Sequence, residues 1–85
     1  KIFLDSEIKY CLKHSNHAIH FSGKFAMKES VKKSISKNVN FLDIETYHLN
    51  SKPKIKLKHT PNYNFLVSVS HEKEFAIATV VSEIF

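Results

Sequence analysis

Eighty-five residues make one small domain, and a core of that size often draws on a partner chain for stability. With 42% hydrophobic and 25% charged residues the chain is too apolar to be disordered, and no apolar run approaches the length of a membrane span. Thirteen lysines, no arginine and eight acids leave a net charge of +5, which favours an anionic partner: nucleic acid, a phosphorylated cofactor or an acidic protein.

Cys11 is the only cysteine, so an intrachain disulfide is excluded and a reducing, cytoplasmic compartment is expected. The chain opens on Lys1, and its first residues already read as the approach to a helix, so a further segment before Lys1 is expected.

The first predicted helix runs from about Ser6 to Lys13. Asp5 or Ser6 is available to cap it, and Ile8, Cys11 and Leu12 share one face. Ser15-Asn16 interrupts it, and a longer helix is predicted over His17 to Ser34 with Asn16 as its N-cap. One arc of this helix carries Ala18, Phe21, Phe25 and Glu29; another carries Met27, Val31 and Ile35. Gly23, the only glycine, allows a close approach by a neighbouring element.

Beyond Asn38 the period changes to two. Phe41–Leu49 and Lys54–His59 are predicted strands of a hairpin turning at Asn50-Ser51-Lys52-Pro53. Thr60-Pro61-Asn62 opens a loop, and Phe65–Ser70 and Glu74–Val81 form a second strand pair across a turn at His71–Lys73.

Several residues invite a chemical reading. Glu29 sits one turn beyond Phe25, where an unpaired buried carboxylate would cost several kcal/mol, so a cation is expected beside it. Lys33 stands at i+4: a solvated surface pair and a metal carboxylate beside a phosphate-binding ammonium both fit that spacing. Ser70-His71 ends a strand with a hydroxyl and an imidazole, but adjacent strand residues point to opposite faces, so they make a poor nucleophilic dyad. Capping by Ser70 and an exposed His71 is the simpler reading. Cys11, His14, His17 and His20 drift off any single helical face, and exposed polar histidines are expected in place of a zinc site. Lys54, Lys56 and Lys58 share one strand face, either solvated or set to meet phosphates.

In order along the chain, these segments resemble bacterial-type holo-acyl-carrier-protein synthases. Phe25-Ala26-Met27-Lys28-Glu29-Ser30-Val31-Lys32-Lys33 is similar to their F-A-x-K-E-[AS]-x-x-K helix. Phe41-Leu42-Asp43-Ile44-Glu45 resembles their F-x-D-I-E strand, and Ser51-Lys52-Pro53 resembles the G-K-P turn except at its glycine. Val67-Ser68-Val69-Ser70-His71, continuing to Phe75-Ala76-Ile77-Ala78, is similar to V-S-[IV]-S-H-x-x-x-[YF]-A-x-A. Lys1-Ile2-Phe3 through Glu7 resembles R-x-F-T-x-x-E, with Leu4 in the place of the threonine.

The resemblance implies an α+β fold of two helices followed by an antiparallel sheet of about four strands, assembled as a homotrimer with active sites between subunits. It implies transfer of 4′-phosphopantetheine from coenzyme A to a serine of apo-acyl carrier protein in fatty acid biosynthesis, with release of adenosine 3′,5′-bisphosphate. Glu29 would help to hold Mg²⁺ and, through a water, take the serine proton. Lys24, Lys28 and Lys33 would face cofactor phosphates; Pro53, Ser70 and His71 would line the coenzyme A cleft, often from a neighbouring subunit. The family's N-terminal strand, with its metal-binding aspartate, and the helix after it fall before Lys1. The stretch Ser36–Asn40 is short against the family's loop. The rival readings are a small basic nucleic-acid-binding module, which leaves the ordered motifs unexplained, and an inactive fragment or paralogue.

Overall fold

The computed structural model describes residues 1–35, 38–59, 63–72 and 75–84. The expected loop at Thr60-Pro61-Asn62 lies outside them, as do Ser36 and Lys37 of the short stretch, Lys73 of the second turn and Glu74 at the start of the last predicted strand. Helix α1 spans Asp5–Leu12 and helix α2 spans His17–Ser34. The first begins one residue earlier than expected, with Leu4 as its N-cap, so neither Asp5 nor Ser6 caps it. Leu4 has no side-chain acceptor to offer, and only half of a capping box forms: Glu7 Oε1 accepts from the Leu4 backbone N–H at 2.7 Å. Asn16 caps α2 as read, its Oδ1 accepting from Ile19 N at 3.2 Å.

A 3-10 turn at Phe41–Asp43 precedes strand β1 (Ile44–Leu49), shortening the predicted strand by three residues. Strand β2 (Lys52–Leu57) returns antiparallel, with Thr46 opposite Ile55 and Leu49 opposite Lys52. Asn50 and Ser51 turn the chain with φ of 52° and 65°, the left-handed pair that matches the twist of a two-residue hairpin. Strands β3 (Tyr63–Glu72) and β4 (Phe75–Ile84) form a second, longer hairpin in which Ser68 faces Thr79. The four described strands thus make two separate two-stranded ladders where one continuous sheet was expected.

Period-two alternation decides what each strand buries. Ile55 and Leu57 point inward from β2 while Lys56 is exposed, as the lysine alternation predicts. From α2 the arc Met27, Val31 and Ile35 meets Val39, Ile44, Ile55, Leu57 and Phe65 in one core. Tyr63, Val67, Val69, Ala78 and Val80 pack around it. Ser30 Oγ donates to Ala78 O at 3.0 Å and Ser82 Oγ to Ser34 O at 3.2 Å, fixing α2 along β4. No helix among the described residues is long and apolar enough to cross a membrane.

Candidate active site

The buried charges among the described residues lie where α1, α2 and β1 meet. Glu7, Lys24 and Lys28 are the largest polar side chains hidden from water, at 1%, 2% and 0% exposure. The Lys28 ammonium donates to Glu7 Oε1 at 2.7 Å, to Ile2 O at 2.8 Å and to Phe41 O at 2.9 Å, so each of its three N–H groups has an acceptor. Glu7 Oε2 accepts from Thr46 N at 2.8 Å and Thr46 Oγ1 at 2.6 Å. Burial pushes the Glu7 carboxyl upward, but the hydrogen bonds from Lys28, Thr46 and Leu4 outweigh it and hold the group below the ordinary carboxylate value.

Lys24, one turn before Lys28, donates to Thr46 O and Thr46 Oγ1, both at 3.1 Å, and stands 4.6 Å over the Tyr10 ring. Burial lowers its proton affinity, and the nearby Glu7 only partly restores it. Lys28, expected at a cofactor phosphate, is therefore fully engaged inside this chain as the counter-ion of Glu7. The residue pattern carried a signal for this. Lys24 and Lys28 share the α2 side of Gly23 and Met27, and lysines directed inward require acceptors.

Tyr10, His14, His20 and His48 pack ring against ring beside Lys24. His48 stacks on Tyr10 at 4.5 Å with planes 6° apart, and His14 stacks on His20 at 4.1 Å. The expectation of exposed histidines holds for His17 and fails for His14 and His20, which are half-buried because their apolar ring faces find partners across elements. A pocket of about 50 Å³ opens beside the stack, lined among others by His20, Lys24, His48, Pro53 and His71. Gly23 forms its floor: a Cβ there would lie 3.2 Å from His71 Cε1, so the close approach read from the sequence is made by His71. A larger pocket of about 380 Å³ shares Tyr10, Lys24 and His48 as a wall and adds Lys13, Glu45 and Tyr47.

The structure thus brings together Lys24, Pro53 and His71 of the expected residues. Glu29, Lys33 and Ser70 are exposed and line neither pocket. The reading of Glu29 as a carboxylate on an apolar face is corrected for the single chain. Each i+4 step along α2 advances about 40° around the axis, so Glu29 has rotated clear of the side covered by Phe3 and Phe41. Those two rings pack on Phe21 at 5.0 Å and on Phe25 at 5.8 Å. Among the described residues Glu29 makes no salt bridge with Lys33.

No family model matches the chain. It is similar to the holo-[acyl-carrier-protein] synthase of Thermodesulfovibrio yellowstonii (strain ATCC 51303 / DSM 11347 / YP87), 35% identical over 86 residues that take in 95% of this chain and 74% of that protein. The protein of the same name from Chlamydia caviae (strain ATCC VR-813 / DSM 19441 / 03DC25 / GPIC) is 36% identical over 91 residues, 96% of this chain and 75% of its own. That of Bacillus cereus (strain G9842) is 41% identical over 76 residues, covering 85% and 63%.

Proposed function

Because the chain belongs to the holo-[acyl-carrier-protein] synthase family, a family of transferases, we propose that it moves 4′-phosphopantetheine from coenzyme A to a serine of apo-acyl carrier protein. The observation that carries this is the likeness to synthases of that name along 95% of the chain. It takes in the helix bearing Lys24, Glu29 and Lys33 and the strands bearing Pro53 and His71.

In this reading the serine Oγ attacks the phosphorus on the pantetheine side of the diphosphate. The bond from that phosphorus to the bridging oxygen breaks, and adenosine 3′,5′-bisphosphate leaves with the electron pair. Glu29, through a water, accepts the serine proton. Lys33, one turn on, meets the growing negative charge on the phosphate oxygens as a point cation. Lys24, Pro53, Ser70 and His71 seat the rest of the cofactor.

Magnesium suits what the chain offers. Among the described residues no three His, Cys, Asp or Glu side chains converge on one point, but Mg²⁺ keeps several waters and takes one or two carboxylates beside substrate phosphates. Glu29, exposed and free of salt bridges among the described residues, is the side chain that would hold it. When bound, the ion supplies neutralisation of phosphate charge.

The test incubates the protein with coenzyme A, Mg²⁺ and apo-acyl carrier protein and weighs the carrier. A gain of one phosphopantetheinyl group supports the assignment; an unmodified carrier across several metals and carrier proteins removes it. A homotrimer and a cytoplasmic location belong to the same proposal.

A further inference from the structure

The pocket beside the ring stack has an unusual lining for a site meant to hold a small anion at neutral pH. Three imidazoles, from His20, His48 and His71, and the Lys24 ammonium face about 50 Å³ of space, and no carboxylate lines it. That volume has room for a few waters or one phosphate-sized group. Lys24 directs two N–H groups at Thr46 and holds its remaining side over the Tyr10 ring. His48 Nδ1 and, further into the stack, His14 Nε2 are buried with no hydrogen-bond partner.

Most of the charged and titratable groups around the stack are ammoniums or imidazoles. From α1 and its end come Glu7, Tyr10, Cys11, Lys13 and His14; from α2 come His17, His20, Lys24 and Lys28; from β1, His48 and Glu45; from β3, His71. Glu7 lies outside the pocket, with its oxygens already held by Lys28 and Thr46. Glu45 lines the larger neighbouring pocket and not this one. A proton added to the stack therefore meets ammoniums and imidazoles, with no anion in the pocket to balance it. A phosphate group in the pocket supplies that anion, and an opposite charge at hydrogen-bond distance favours the charged form of an imidazole.

We infer that this pocket is a proton-coupled phosphate site, in which seating a phosphate group of the cofactor is accompanied by protonation of His20 and His48. The inference deepens the proposed function and rests on its placing of coenzyme A phosphates near Lys24 and His71. Its consequence is regulatory. Where protons are taken up on binding, affinity falls as pH rises, so cofactor affinity is tuned across the range in which imidazoles titrate.

Calorimetric titration of the full chain with coenzyme A at pH 7, in buffers of differing ionisation heat, reads the protons exchanged per site. Net proton uptake, of up to about two per site because two imidazoles take part, is expected. It falls toward zero in the His20→Phe, His48→Phe double variant, whose rings preserve the stack. Binding without uptake in the wild type, or uptake unchanged in the variant, overturns the inference. Dephospho-coenzyme A separates the two phosphate sources: uptake kept with it assigns the pocket to the diphosphate, and uptake lost assigns it to the 3′-phosphate. Should coenzyme A give no binding heat, the proposed function is what fails. A histidine NMR titration with and without inorganic phosphate then judges the pocket alone. Midpoints of His20 and His48 that rise with phosphate uphold it, and midpoints that stay put end it.

Discussion

At Ser51 the hairpin asks for a residue that the chain does not supply. Its φ of 65° follows the 52° of Asn50, and a side chain at a left-handed position carries a cost of about 1 kcal/mol that glycine avoids. Ser51→Gly is therefore expected to raise stability by roughly 0.5–1 kcal/mol in chemical denaturation, after the flexibility that glycine adds to the unfolded chain. A variant no more stable than the parent would show that the turn is not held in this geometry. Glu29 presents the reverse case, a residue whose replacement should leave the fold alone. It is exposed on α2, and surface substitutions away from special features stay within about 0.5 kcal/mol. Glu29→Gln keeps the carboxylate's size but removes its charge, so carrier modification should be abolished while the thermal midpoint is unchanged. An active Glu29→Gln enzyme would take Glu29 out of the chemistry. Lys33→Ala should cut turnover strongly for the same electrostatic reason, and a wild-type rate would reduce Lys33 to a surface lysine.

Between elements, the Glu7–Lys28 pair and Thr46 join α1, α2 and β1 through one buried ionic network. Removing one partner strands a charge without water, which costs about 3–5 kcal/mol, a large part of a small domain's stability. Glu7→Gln and Lys28→Met should each destabilise by that order in urea titrations. The double variant should lose clearly less than the sum, since neither charge is then left alone; strict additivity would mean that the two do not act as a pair. The ring stack sets a different pH dependence. His20 is held below its usual value of 6.5 by burial first, then by His14, His71 and Lys24; His48 is held below it by burial first, then by Lys24, His20 and His14. The folded state binds fewer protons than the unfolded chain between those lowered values and 6.5, so stability rises with pH through that window. It is full above about 6.5 and lost as pH falls below it. Thermal midpoints should drop from pH 7.5 to pH 5.5, and the His20→Phe, His48→Phe variant should flatten that slope. Glu7 acts lower, its contribution present above 4.5 and lost as pH falls through its depressed folded value. Local signals made much of this architecture legible. The Asn16 cap, the bounds of α2, its Met27/Val31/Ile35 arc and the alternation in β2 follow from cap chemistry and hydrophobic period alone. The inward lysines of α2 left a trace in the pattern, but their partners Glu7 and Thr46 and the histidine stack were not legible, because each joins residues more than twenty positions apart. A glutamate in a first helical turn reads as a cap, and a histidine reads as polar until a ring is found to cover it.

For the whole molecule, Lys28 is buried against Glu7 and Ser70 lines neither pocket, and the other five expected site residues fall into two groups that share no pocket. Glu29 and Lys33 lie on the exposed side of α2, whereas Lys24, Pro53 and His71 line the small cavity. A single chain also leaves apolar surface uncovered on the outer face of the β3–β4 hairpin, with Leu66 at 60%, Phe75 at 59%, Ile77 at 50% and Val81 at 52% exposure. A small domain gains from covering such a face with another copy of itself. Both facts fit a trimer in which one subunit's Glu29 works beside the His71 of the next. Mixed assembly tests this directly. Glu29→Gln and His71→Ala proteins should each be inactive as pure trimers. If the two are unfolded together in equal amounts and refolded, a site is intact only where a His71→Ala subunit supplies Glu29 and its neighbour, a Glu29→Gln subunit, supplies His71. Each condition holds for half of the subunits, so about a quarter of sites should recover, and activity should return to roughly that fraction of the wild type. A site built within one chain could never recover this way, because every chain in the mixture lacks one of the two groups. Hybrid trimers confirmed by mass spectrometry yet wholly inactive would place both residues on one subunit and end the shared-site reading.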